Sequence, residues 1–183
     1  MLEPPQENDP DCFDELVRPH LQKLYRLSFR LTQSVSEAED LLQDVLCKIF
    51  ERRGELTSIS DLGPWLSRVL YNQFVDSTRQ QKRRRLRVIS ENEMVGDLGI
   101  DSYADHGANP ESAAVTRFDI DRVSEALRRL SEDHQTVLVM HDVEGYKLKE
   151  IQLITGISVG TIKSRLSRAR ARLKEILNSD GTF

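Results

Sequence analysis

The chain has 183 residues, of which 38% are hydrophobic, only 6% are aromatic and nine are glycine, so it holds one domain or two small ones and is ill suited to a β-rich fold. It carries 26 basic and 30 acidic residues, a net charge of −4. It has no apolar run long enough to span a bilayer and no signal-peptide pattern, which excludes membrane insertion and points to the cytoplasm.

A first helical region is predicted over about 11–53. Phe13, Leu16, Val17, Leu21, Leu24, Leu27 and Leu31 keep a helical stripe, with a kink or restart expected at Pro19. Ser36 is expected to open a second helix, with Glu39 completing a capping box. Ala38, Leu41, Leu42, Val45, Leu46, Ile49 and Phe50 form its apolar face, and Gln43, Asp44 and Lys48 lie outside it. A loop of about ten residues follows, from Gly54 to Gly63. Pro64 suits the first position of the next helix, which carries Trp65, Leu66, Val69, Leu70 and Phe74 and runs into the cations Arg79 to Arg85.

Periodicity is lost over 88–108, an acidic stretch with three glycines that reads as an extended linker. Asn109, Pro110 and Glu111 supply cap, first-turn proline and first-turn acid for a restart through Val123, Leu127 and Leu130. Ser131 caps another helix with Val137, Leu138 and Met140 inside. Tyr146, Leu148, Ile151 and Ile154 then mark a short helix. Gly156 suits a left-handed helix end, Ile157 a buried plug, and Ser158 the cap of the last helix. On that helix Val159, Ile162, Leu166, Ala169, Leu173 and Ile176 are spaced 3, 4, 3, 4, 3, one apolar stripe at about 100° per residue. Short helix, three-residue turn and longer basic helix make a helix-turn-helix.

Charge is distributed in blocks. Residues 63–87 hold seven basic and one acidic residue, and 146–183 hold eight and three, whereas 1–62 hold seven and thirteen. Two basic patches divided by acidic segments suggest two contacts on one polyanion. On the last helix, Gly160, Ser164, Ser167 and Arg168 point away from the stripe toward base edges, and the flanking Lys163 and Arg165 face phosphates. Cys12 and Cys47 are too few for a disulfide framework and lack metal spacing. The four histidines are scattered, so no metal or other cofactor is called for. No nucleophile elbow, phosphate loop or paired catalytic carboxylates stand out, which argues against an enzyme and against a small-molecule substrate.

Four motifs in order, SEAEDLLQDVLCKIFE (36–51), PWLSRVLYNQFVD (64–76), LSEDHQTVLVMHDVEGYKLKEI (130–151) and GISVGTIKSRLSRARARLK (156–174), resemble bacterial sigma factors of the extracytoplasmic-function (ECF) type. The resemblance spans Phe13 to Leu177. It implies an all-α fold: an N-terminal domain over 1–87, an acidic linker over 88–117 and a C-terminal helix-turn-helix domain over 118–183. It also implies a protein that binds core RNA polymerase and directs initiation at promoter DNA, with an anti-sigma factor as a further partner that could hold it at the membrane. By position, Leu41, Gln43 and Asp44 match the polymerase-binding helix. The 54–63 loop with Ser58, Ser60 and Asp61, together with Asn72, matches the surface that reads and melts the −10 element, and Arg79, Lys82, Arg83 and Arg84 hold phosphates beyond it. Thr161, Lys163, Ser164, Arg165, Ser167 and Arg168 match the −35-reading helix. The RRGELTSISDLG loop departs from the family's commonest pattern, and Gln152 stands where a small Ala is usual. An ordinary helix-turn-helix regulator would have no need of the 36–76 motifs.

Overall fold

The computed structural model describes residues 10–91 and 122–179, with side chains over 13–84 and 122–179. All regular structure among the described residues is helical. The chain divides into two compact units, the first taking in the described residues 10–91 and the second most of 122–179.

In the first unit, α1 spans Pro10–Thr32, α2 Val35–Glu51 and α3 Leu62–Glu91. Their apolar stripes meet in one core of Val17, Leu24, Leu27, Leu31, Ala38, Leu41, Val45, Ile49, Leu56, Leu66 and Leu70, all buried. Pro19 does not restart the helix, because α1 is continuous through it. A proline inside a helix forfeits one backbone bond, but Pro19 sits on the solvent side, and the buried Val17 before it and Leu24 after it hold the stripe together.

The second helix begins earlier than expected. Ser34, not Ser36, is its N-cap, and its hydroxyl accepts from the Glu37 N–H at 3.4 Å. Ser34–Glu37 and Ser36–Glu39 both fit the capping spacing. The upstream pair is selected because Gln33 turns left-handed at φ 59° just after α1 ends. The segment expected to be a loop is mostly a 3-10 helix over Arg53–Ser58, with only residues 59–61 between it and α3. Leu56 explains this, since tight winding buries its side chain in the core. Pro64 stands third in α3 rather than first, still within the turn that lacks internal N–H partners. The helix continues to Glu91, four residues beyond the expected linker boundary. The remaining linker, the restart at Asn109 to Glu111 and Cys12 lie outside the residues or side chains described.

In the second unit, α4 is described over 122–128. Helix α5 spans Glu132–Leu138 and widens into a π turn over Val139–Val143, which sequence periodicity does not reveal. Helices α6 and α7 span Leu148–Thr155 and Val159–Ser179. The core gathers Ala126, Leu127, Leu130, Val137 to Met140, Tyr146, Ile151, Ile162, Leu166, Ala169 and Ile176. Ser131 occupies the N-cap of α5 without a side-chain cap bond, and Ile157 is only half-buried. Gln152 is exposed, so its length does not enter the packing of α6 on α7.

Candidate polymerase and promoter interfaces

On α2, Gln43 and Asp44 face solvent, whereas Leu41 is 6% exposed and belongs chiefly to the core. Only its edge reaches the groove between α2 and α3, which Glu37, Asp40, Asp44, Gln73 and Arg84 also line. The Gln73 side-chain amide donates to Asp44 Oδ2 at 3.2 Å, and Lys48 Nζ donates to the Gln73 amide oxygen. Asp44 is therefore a positioned acceptor rather than a free acid, fixed by a residue of α3 that sequence reading passed over.

The 54–63 segment and Asn72 lie apart along α3. Leu62 and Asn72 are ten residues apart on α3, roughly 15 Å along its axis. The Ser58 hydroxyl donates to the Glu55 carbonyl at 2.6 Å and so ends the 3-10 helix. Ser60 and Asp61 are exposed. Arg52 organises this corner: it pairs with Glu55 at 2.7 Å and lies 5.5 Å over the half-buried Trp65 ring. Further along, Arg68, Asn72, Asp76, Arg79 and Arg83 are all exposed at spacings of 4, 4, 3 and 4, one solvent-facing stripe. Lys82 and Arg84 flank it, exposed as well. Arg68 is the member that sequence reading missed, and its four-residue spacing from Asn72 is the signal that identifies it.

At the α6–α7 turn, Gly156 adopts φ 74°, and its N–H bonds the Gln152 carbonyl at 2.9 Å. Ser158 Oγ accepts from the Thr161 N–H at 3.2 Å and lies 2.9 Å from the Thr161 hydroxyl, so the expected cap is present and Thr161 shares it. The Ser164 hydroxyl donates back to the Thr161 carbonyl at 2.9 Å, leaving its lone pairs to accept. Thr161, Lys163, Ser167 and Arg168 are exposed, and Ser164 and Arg165 are half-buried.

The cations of α7 fall into two sets. Arg165 meets Asp133 at 2.7 Å, Arg170 grips Asp142 through two bonds of 2.8 and 2.6 Å, and Arg172 meets Glu175 at 3.0 Å. Lys163, Arg168 and Lys174 make no ion pair within the described residues. Hydrogen bonding from Arg170 holds the Asp142 carboxyl below the usual aspartate range against the opposing effect of partial burial. His141, 3.2 Å away, acts in the same direction as Arg170. Arg165 is thus occupied in the free protein rather than offered to solvent.

Two helical units, one with a polar groove and a basic helix, the other with a capped helix-turn-helix, define a two-part nucleic-acid-binding factor. Residues 16–84 match the Sigma-70 region 2 family and residues 120–173 match Sigma-70, region 4. The ECF RNA polymerase sigma factor SigM of Mycobacterium tuberculosis is 32% identical over 167 residues, covering 91% of this chain and 77% of the relative. SigE of Mycolicibacterium smegmatis, also an ECF RNA polymerase sigma factor, is 31% identical over 171 residues and 90% of this chain, which spans 61% of that relative's length. The sigma factor RpoE, solved in complex with the anti-sigma factor NepR from Bartonella quintana, superposes with a TM-score of 0.67 at 30% identity, over 92% of this chain and 98% of that one. CnrH, solved with the cytosolic domain of CnrY, shares the fold at a TM-score of 0.62 and 19% identity. The chain belongs to the ECF RNA polymerase sigma factors, which are transcription initiation factors rather than enzymes.

Proposed function

We propose that the chain binds core RNA polymerase through the exposed face of α2 and directs initiation at its own promoter class, as an alternative sigma factor answering a signal or stress. Gln43, Asp44 and the edge of Leu41 dock on polymerase. Ser58, Ser60 and Asp61 read an exposed −10 base, Asn72 holds a base that has left the stack, and Arg79, Lys82, Arg83 and Arg84 track phosphates. Thr161, Lys163, Ser164, Ser167 and Arg168 read the −35 element, with Arg165 beside them. The domains follow the boundaries 1–87 and 118–183, joined by the linker 88–117. The protein works in the cytoplasm, and no described helix is long and apolar enough to cross a membrane. An anti-sigma factor is its further partner, a reading supported by the solved relatives that carry one.

One observation carries this reading: region 2 and region 4 matches occur in order on one chain, the first over the α2–α3 groove and the second over the capped turn and α7. Run-off transcription with core polymerase, with and without the protein, tests it on a promoter selected by the holoenzyme. Transcript only when the protein is present is expected, and equal transcript in both reactions overturns the proposal. Asn72→Ala is expected to retain closed-promoter binding but lose permanganate reactivity of −10 thymines. Wild-type reactivity would place melting elsewhere.

A further inference from the structure

Arg165 and Arg170 are five residues apart on α7, so they sit about 140° apart around its axis. They lie on opposite flanks of the buried stripe of Ile162, Leu166 and Ala169. Each is held by a carboxylate from the preceding structure: Arg165 by Asp133 in the first turn of α5, Arg170 by Asp142 in the π turn. A helix lying in the major groove has one phosphate strand along each flank. The two guanidiniums therefore occupy the positions from which both strands are reached, yet in the free protein each already holds an anion. Each pair lies at the surface and joins a half-buried group to an exposed one, Arg165 at 24% to Asp133 at 65% and Asp142 at 31% to Arg170 at 54%. Surface pairs are weakly held, and a phosphate offers the same bidentate oxygen geometry as a carboxylate.

We propose that Asp133 and Asp142 mask a two-strand phosphate clamp, and that Arg165 and Arg170 exchange these carboxylates for backbone phosphates when α7 enters promoter DNA. The exchange needs no rearrangement of the α7 core. Its consequence is selectivity: off target, the clamp stays closed on its own acids. Binding then relies on Lys163, Arg168 and Lys174, and the loose, phosphate-driven affinity for arbitrary DNA is held down. The inference rests on the reading of α7 as a DNA-facing helix.

The test uses the full chain with random-sequence and −35-containing duplexes, titrated with salt. Asp133→Asn and Asp142→Asn keep side-chain shape and remove the competing charge. Each is expected to bind random duplex more tightly and to steepen the dependence of log K on log salt by about 0.9, the release of one more counterion. That amounts to about three- to fourfold extra loss of affinity between roughly 50 and 200 mM salt. Preference for the −35 duplex over random duplex should fall. Asp142→Glu should restore the wild-type slope, and adding Arg170→Gln to Asp142→Asn, or Arg165→Gln to Asp133→Asn, should cancel the gain. Glu125→Gln removes a charge from the same unit at a residue paired with Arg128 rather than with a cation of α7. Slopes for the Asp variants no steeper than for Glu125→Gln overturn the mask. If no form binds any duplex even at the lowest salt, the DNA-facing reading of α7 falls and takes the mask with it.

Discussion

The α1–α2 turn and the α6–α7 turn each pass through one left-handed residue, Gln33 at φ 59° in the first and Gly156 at φ 74° in the second. An L side chain in that region costs about 1–2 kcal/mol, and glycine nothing. Gln33 is tolerated because its side-chain amide donates to the Arg30 carbonyl at 2.6 Å, and its N–H to the Phe29 carbonyl at 2.8 Å. The helices it joins are also 23 and 17 residues long and share a wide apolar seam. Helix α6 has only eight residues, so its turn has far less packing to lean on. Long helices dictate their connection, whereas a short helix depends on it.

Leu27 has no exposed surface in the seam of the first unit. Leu27→Ala is therefore expected to cost about 2–5 kcal/mol of stability in denaturant unfolding. A loss as large from Gln33→Ala would break the comparison, because it would show that the turn rather than the seam holds the first junction.

Arg168→Ala is expected to weaken binding by about 1–3 kcal/mol on the preferred −35 duplex and to relax preference at one base position. A promoter panel with each −35 base substituted checks this, and unchanged preferences would remove Arg168 from base reading. Gly156→Ala is expected to cost about 1–2 kcal/mol through backbone strain alone, because a Cβ there meets nothing within 4 Å. An unchanged midpoint would mean that α6 packing, and not the turn, sets the angle of α7.

Acid should reveal the Asp142–Arg170 tether. The folded-state pKa of Asp142 is depressed below its ordinary value of 3.8, so the stabilisation is full above that value and is lost as pH falls through the folded one. Wild type and Asp142→Asn should converge in stability on acidification, and a constant gap between them down to the acid transition would refute the linkage. The smallest effect is expected for Gln33→Gly, within about 0.5 kcal/mol of wild type. Relief of left-handed strain is there offset by the flexibility of glycine and the lost amide bond. A gain above about 1 kcal/mol would show that Gln33 is strained without compensation.

Much of this architecture is legible along the chain where one physical requirement acts alone. The α7 stripe, the left-handed Gly156 and the Ser158 cap each follow from local geometry and appear as read. Where two local solutions compete, the sequence is silent: Ser34 and Ser36 satisfy the same capping rule, and only the Gln33 turn chooses. The 54–63 segment looks like a loop because its polar residues dominate, yet one buried side chain, Leu56, winds it into a helix. The π turn is hidden because one widened turn barely alters the spacing of apolar residues. Within the candidate site, the state of individual side chains is what the sequence does not show. Leu41 faces the core and Arg165 faces Asp133, 32 residues away in sequence, a partner that no local pattern reveals.

Trp65 is the sole tryptophan in the chain. It lies half-buried beneath the Arg52 guanidinium, three residues before α3 turns its Arg68 stripe outward. The molecule therefore carries an unlabelled optical reporter confined to its first unit. Indole emission is sensitive to the guanidinium above the ring and to any base or side chain that displaces it. A titration followed by that emission would report events at the corner between α2 and α3, in native protein and in real time.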